Sequence, residues 1–242
     1  MKPPLPQLLL IPGLAGDAEM FRDVQPALPP ALCPTVAQVH TQAGVDRIED
    51  MAALLLRTHA GPLVLCGTSM GGMIAMEAAR QAPERIAGLA LLGTTARPET
   101  TEMRTLREGA IVLFERGDVR EVIEPNVAFA FHPHQAADAA LVQRYLDFVL
   151  RAGGHQLARQ NRAVIHRPHA LQHLPAVRCP TLVLCGDSDQ LTPPDCSREI
   201  AAAIAGAELH LLAECGHMLT MEKPAEVNHL LAGWLHRQGW ME

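Results

Sequence analysis

Residues Leu63–Met76 read LVLCGTSMGGMIAM. Leu63, Val64, Leu65 and Cys66 make an apolar, β-leaning run, Gly67-Thr68-Ser69-Met70-Gly71 follows, and a helical pattern starts at once. Gly-x-Ser-x-Gly gains its meaning from a strand before it and a helix after it. Such a turn is tight enough that Ser69 is expected in a strained conformation with its hydroxyl exposed, while glycine at 67 and 71 avoids a Cβ in the opposing backbone. Gly72 and the small Ala75, Ala78 and Ala79 let the helix lie close to the sheet. Five residues alone are a weak signal. The rest of the chain has to supply partners for the serine.

Outward from this turn the same rhythm repeats. Gln7–Ile11 is an apolar run closed by Pro12-Gly13, after which Gly13-Leu14-Ala15-Gly16-Asp17 is a tight loop, with Asp17 placed to cap a short helix through Phe21. Thr35–His40 reads as a second strand, and Asp46 starts a helix with Ile48, Met51, Leu54, Leu55 and Thr58 at helical spacing. Pro83-Glu84-Arg85 is a turn, and Ile86–Leu92 is another buried-type strand. Strands alternating with amphipathic helices predict an α/β fold with a doubly wound, mostly parallel sheet.

The alternation stops at Arg97. From there to about Leu174 only helical periodicity remains, with Leu141, Tyr145 and Phe148 on one helix face and Gly153-Gly154 ending that helix. This stretch also holds His132, His134, His155, His166, His169 and His173, but no acidic ligand accompanies them in a metal-binding pattern, so solvated surface histidines are expected and no metal. The rhythm returns after Pro180, with a strand over Thr181–Cys185, a helix over Cys196–Ile204, a last strand over Glu208–Leu212 and a closing helix over Ala225–Arg237. Residues 1–242 are therefore read as one domain, with 97–174 inserted as a helical cap between core segments 1–96 and 175–242.

A serine hydroxyl needs a base within hydrogen-bond reach, itself oriented by an acid. In a parallel sheet such groups come from loops at the carboxyl ends of other strands. The loop after Thr181–Cys185 offers Asp187 and Asp189, and the loop after Glu208–Leu212 offers His217. The order Ser, Asp, His along the chain is that of an α/β-hydrolase arrangement.

Composition excludes other classes. The 242 residues are 48% hydrophobic and 19% charged, enough for a large core. Aromatics are 3% and the formal net charge is -6 with no Lys/Arg block, which argues against a nucleic-acid partner. Six cysteines show no CxxC pair and are expected to be reduced and structural. The opening MKPPLPQLLLIPG lacks the h-region and cleavage site of a signal peptide, and nothing reaches the roughly 20 apolar residues of a membrane span. A cytoplasmic enzyme with no membrane partner is the expectation, and homo-oligomerisation is left open.

LLLIPGLAGD, LCGTSMGG, PERIAGLALLGT, CPTLVLCGDSDQLTPP and ECGHMLTMEKPAEV, in this order and spacing, make the chain resemble an α/β-hydrolase fold enzyme over almost its whole length. The resemblance places the acid three residues after the strand-ending glycine in a G-x-x-D…P pattern, which implies Asp189 with Pro193, and leaves Asp187 as a polar group at the strand end. It makes His217 the general base and acid. The oxyanion would be held by the N–H of Met70, favoured by the helix N-terminus, and by that of Leu14 after Gly13. Many relatives carry His-Gly where this chain has Pro12-Gly13, so any bracing by that histidine is missing. The first strand begins near residue 1, so the antiparallel edge strands of relatives are absent and about six strands are expected.

The resemblance also puts the cap over the pocket, where Phe129, Phe131, Tyr145, Leu191 and Met218, with Leu14 and Met70, would wall an acyl or alkyl site. It implies hydrolysis of a small-molecule carboxylic ester or thioester of a small to medium apolar acid, without a cofactor. C–C hydrolases, lactonases, perhydrolases and aminopeptidases use the same machinery, and a C–C substrate's carboxylate would want a cation such as Arg104, Arg107, Arg159 or Arg162. A serine in place of aspartate argues against a dehalogenase. A ligand receptor that turns over slowly on the same fold is the alternative outside the enzymes.

Overall fold

The computed structural model describes residues 5–241. Its centre is one sheet of six strands, all parallel: β1 (Gln7–Ile11), β2 (Thr35–Val36), β3 (Leu63–Thr68), β4 (Ile86–Leu92), β5 (Thr181–Gly186) and β6 (Glu208–Leu212). The order across the sheet is β2-β1-β3-β4-β5-β6. The expected six-stranded, parallel, doubly wound α/β architecture is therefore found. The opening stretch MKPPLPQLLLIPG, read above for signal features, is described only from Leu5.

Parallel strands are covered on both faces, so the inner strands β1, β3, β4 and β5 are largely apolar and alternate between two cores, while the edge strand β6 keeps Glu208, His210 and Leu211 partly exposed. Leu8, Leu10, Val64, Cys66, Ala90, Leu92, Leu182 and Leu184 share one core with Phe21 and with Val227, Leu231, Trp234 and Leu235 of the closing helix. Leu9, Ile11, Leu63, Leu65, Leu89, Leu91 and Val183 share the other with helices α1 (Ile48–Thr58) and α2 (Met70–Gln81). Cys66 is fully buried and burial pushes its thiol up to about 12, so it packs as a neutral apolar group. All six cysteines are free.

Between β4 and β5, among the described residues, the chain is helical: α3 (Thr101–Arg116), α4 (Val119–Ala130), α5 (Pro133–Ala136) and α6 (Ala139–Ile165), followed by two short turns. Their apolar faces join the first core. The remaining helices are α7 (Pro194–Ala203), α8 (Leu219–Glu222) and α9 (Pro224–Arg237).

Three local expectations are corrected. The second strand covers Thr35–Val36 instead of Thr35–His40, because the chain leaves extended geometry at Gln38 and a 3-10 turn over Val39–Thr41 follows. That turn buries His40, whose Nε2 lies 2.9 Å from Gly16 O in the loop after β1. Helix α1 starts at Ile48 and Arg47 takes its N-cap position, so Asp46 does not cap it. The third concerns Gly153-Gly154, which interrupts α6 without ending it: Gly153 has φ 74°, and helix resumes to Ile165. The next residue is at a close crossing, since a Cβ on Gly154 would stand 2.0 Å from Phe114 O of α3.

Candidate active site

Ser69 sits between β3 and α2 with φ 51° and ψ −118°, a region open to glycine and costly for serine, about 1–3 kcal/mol for such backbones. Neighbours hold it there. Its N–H donates to Leu92 O (2.9 Å), and Thr94 Oγ1 donates to its carbonyl (2.7 Å). The flanking glycines explain themselves: a Cβ at Gly67 would lie 2.3 Å from Gly71 O, and one at Gly71 would lie 2.0 Å from Ile11 O.

The end of β4 is also where the other reactive side chains arrive. A methyl on Gly93 would stand 3.4 Å from both Asp189 Oδ2 and His217 O. His217 Nδ1 and Asp189 Oδ2 are 2.8 Å apart and both side chains are buried. Because the carboxylate can only accept, Nδ1 carries the proton and Nε2 is left free. The remaining capacity of Asp189 is filled by Leu191 N–H and Thr192 N–H on Oδ1 (2.9 Å each) and by Thr192 Oγ1 on Oδ2 (2.8 Å).

These contacts fix opposite titration tendencies. Burial pushes Asp189 up, but the charge of His217 and the donated hydrogen bonds outweigh it and hold the carboxyl below its ordinary 3.8. Burial pushes His217 down, and the Asp189 carboxylate outweighs that, raising the imidazole above 6.5. Asp187, the competing acid, is exposed and accepts from Ser188 Oγ (2.8 Å) and Cys215 N–H (3.4 Å), so it finishes the strand end away from His217.

The main chain that carries His217 is tied to the helical segment. His217 N–H and Met218 N–H both donate to Ala130 O at the end of α4 (3.0 and 3.2 Å). On the other side of the site, Gly13 is so close that a Cβ there would lie 3.0 Å from Ser69 Cβ. In that loop Gly13 N–H donates to Met20 Sδ (3.4 Å) and Ala15 N–H to Gln160 Oε1 of α6 (2.8 Å). Gln160 Nε2 in turn donates to His40 O (3.1 Å). A buried glutamine from α6 thus braces the loop that lacks the relatives' histidine. Among the described residues the N–H groups of Leu14 and Met70 donate to no protein group.

Comparison with known proteins follows the same lines. A family model described as alpha/beta hydrolase fold matches residues 45–224. The chain belongs to this family. A provisionally named carbamate hydrolase, RutD, of Variovorax paradoxus (strain S110) is 27% identical, over 95% of this chain and 91% of its own length. A 2-hydroxy-6-oxononadienedioate/2-hydroxy-6-oxononatrienedioate hydrolase of Klebsiella pneumoniae is 26% identical, over 93% and 84%. Among solved structures, a thermophilic esterase from Thermogutta terrifontis superposes with a TM-score of 0.83 at 24% identity, covering 96% of this chain and 90% of the esterase.

Within this alpha/beta hydrolase, the residues expected to wall the pocket divide. Phe131 and Met218 are buried, and Phe131, Tyr145 and Phe148 stack edge to face at centroid distances of 5.3 and 5.4 Å. Phe129 and Leu191 keep 48% and 49% of their surface exposed, so they fit a rim and not an enclosed wall. Of the candidate cations, Arg107 is the one whose positive charge reaches His217, where it opposes the upward shift. No group of three or more His, Cys, Asp or Glu side chains among the described residues is placed to hold a metal ion. No helix among them is long and apolar enough to cross a membrane.

Thr192, Gln160 and Glu222 belong to the site and were not found from the sequence. Thr192 follows Asp189 by three residues, the spacing of a self-capping turn, which was a usable signal. Gln160 acts across the fold, 145 residues from Ala15, and no local pattern marks it; Glu222 accepts from Met218 at the N-cap of its own short helix, a local pattern, but its bond to His132 spans 90 residues.

Proposed function

We propose that this protein is a serine hydrolase that cleaves carboxylic esters or thioesters of small to medium apolar acids through an acyl-enzyme on Ser69. The buried Asp189–His217 pair, beside Gly93 at the end of β4 where the strained Ser69 turn is also anchored through Leu92 O, carries the reading. Ser69 Oγ attacks the carbonyl carbon while His217 Nε2 takes its proton. Charge developing on the carbonyl oxygen is met by the unused N–H groups of Leu14 and Met70, the latter at a helix N-terminus. Collapse expels the alcohol or thiol, which receives the proton from His217. Water then attacks the acyl-enzyme, giving up a proton to His217, and Ser69 is released with the acid. Asp189 orients the imidazole and stabilises its charged form.

A second reading, cleavage of a C–C bond or lactone in a substrate that bears a carboxylate, is favoured by Arg107. Its Nε donates to Glu99 Oε2 (2.7 Å) and its Nη1 to Asn161 Oδ1 (2.8 Å), while Nη2 donates to no protein group among the described residues. A slow-turnover receptor is the reading outside catalysis.

The test is Ser69→Ala. Turnover of p-nitrophenyl esters should fall to background, by roughly 10⁵-fold or more, in a protein with unchanged circular dichroism. Retained turnover would remove Ser69 from the mechanism. An acyl-chain-length series, with a lactone and an anionic C–C substrate beside it, then separates the two catalytic readings. Stoichiometric fluorophosphonate labelling with almost no second turnover would mark a receptor.

A further inference from the structure

Glu222 is a buried carboxylate with no ion-pair partner among the described residues. Its Oε2 accepts from Gly216 N–H (3.0 Å) and from His132 N–H (2.8 Å), and its Oε1 accepts from Met218 N–H (3.0 Å). Gly216 and Met218 flank His217 in the loop after β6, whereas His132 opens α5 in the helical segment between β4 and β5. The seam is tight here, since a Cβ on Gly216 would meet His132 N at 2.5 Å. Three N–H groups from two separate chain segments therefore converge on one side chain. Desolvating a carboxylate is costly, and a structural acceptor could be had more cheaply from a carbonyl or an amide. A full negative charge gives stronger and more directional hydrogen bonds than either.

We propose that Glu222 is a positioning residue that clamps the two residues flanking His217 to the turn at His132, so that one carboxylate both aims the general base and holds the helical cap onto the core. This rests on the reading of Ser69 as nucleophile and His217 as base. The titratable groups around Glu222 are His217 and Cys215 in its target loop, the adjacent Lys223, Asp189 beneath His217, and His132 across the seam. Its negative charge also supports the charged form of His217.

Glu222→Gln replaces one accepting oxygen by a donor that faces an N–H. Loss of one hydrogen bond to a charged acceptor lowers kcat at least about tenfold, with a smaller change in KM. The pH profile distinguishes positioning from mere stability. On the acid side log(kcat/KM) of the wild-type protein steepens from a slope of about one to about two once Glu222 gains its proton. In Glu222→Gln the slope stays near one and the midpoint moves to lower pH. The imidazole Nδ1 proton of His217, read by NMR without substrate, weakens or moves upfield.

His132→Pro removes the cap-side donor and sets a ring carbon against Glu222 Oε2, so it breaks the cap arm by displacing the carboxylate, and it gives a second route to refutation if Glu222→Gln does not fold. Its backbone is suited to proline, with φ −60° at His132 and φ −121°, ψ 152° at Phe131 before it. It should raise KM severalfold for long acyl esters and lower kcat, whereas His132→Ala, which keeps the N–H and loses only the Nδ1 cap on His134 N–H, should change both far less. The proposal is overturned by a folded Glu222→Gln protein with wild-type kcat, acid limb and Nδ1 signal, or by a His132→Pro protein that behaves as His132→Ala. Activity surviving Ser69→Ala would fell the hydrolase reading instead, and the NMR signal would still judge Glu222.

Discussion

The chain beyond β5 and the chain beyond β6 each deliver a buried carboxylate to the neighbourhood of His217, and the two are held in opposite ways. Asp189 is 3% exposed and faces a group that can become a cation, with three further donors on its oxygens. Burial pushes its pKa up, yet the His217 charge wins and the carboxyl stays ionised below its ordinary range. Glu222 is 7% exposed and faces backbone N–H groups alone. There burial wins over the donated bonds and the pKa rises above 4.5. A charge partner compensates a charge that must persist through a reaction. Neutral dipoles fix a direction at less electrostatic gain, which suits placement.

The comparison breaks most sharply at Asp189. Asp189→Asn keeps the shape, leaves Thr192 and Leu191 with an acceptor, and removes the compensating charge. It also permits the wrong imidazole tautomer. For ester hydrolysis kcat should fall by about 10³–10⁴ while the fold is retained. Stopped-flow and steady-state assays across pH check it twice. In the wild-type protein kcat/KM should rise with pH with a midpoint above 6.5, because His217 must lose its proton to act and its pKa is raised. In Asp189→Asn that midpoint should drop. A variant with near-wild-type kcat would show that the pair is only structural.

Thr192→Val gives the next smaller effect. The hydroxyl donates to Asp189 Oδ2 and lies 3.3 Å from His217 Nδ1, so its loss takes away one of four hydrogen bonds to the carboxylate without touching its charge. A reduction in kcat of about threefold to tenfold is expected, with KM unchanged, measured on the same ester. A loss as large as that of Asp189→Asn would mean that the hydroxyl, and not the carboxylate, orients the ring.

The sheet was legible, and Ser69, Asp189 and His217 could be proposed from the sequence, because each rests on short-range pattern. Ile86–Leu92 and Glu208–Leu212 are short apolar-rich runs between turn signals, and both form strands with those bounds, the first buried and the second at the partly exposed edge. Gly67 and Gly71 mark the elbow because only glycine fits contacts of 2.3 and 2.0 Å. What stayed hidden depends on residues far apart. Thr35–His40 looks extended locally, but the pull of Gly16 O on the His40 ring bends it out of the sheet. Gly153-Gly154 reads as a helix end, yet helix resumes beyond it with Gly154 packed against Phe114 O, a contact 40 residues away in the chain. Glu222 sits in a run, MEKPAEV, that looks like an ordinary polar helix start. Two of its donors, Gly216 and Met218, stand just before it in the chain, but the third, His132, lies 90 residues away, and that contact could not be read from its neighbours.

The smallest effect is on stability, and its sign separates the two carboxylates even where turnover does not. A group with a lowered folded pKa contributes stability above its unfolded pKa and loses it as pH falls through the folded value. Asp189 is such a group, so acidification below about its ordinary 3.8 should cost the wild-type protein stability that Asp189→Asn does not have to lose. Glu222 has a raised folded pKa, so what it contributes is fully present below 4.5 and is lost as pH rises through the folded value. His217, also raised, behaves likewise from 6.5 upward, and this share depends on Asp189. Urea unfolding at a series of pH values should therefore show a wild-type stability that declines between pH 4.5 and neutrality more than that of Glu222→Gln. Above 6.5 the wild type should decline more than Asp189→Asn. If both variants track the wild type in parallel at every pH, neither carboxylate differs between the folded and unfolded chain, and the contrast between a paired and an unpaired charge fails at its root.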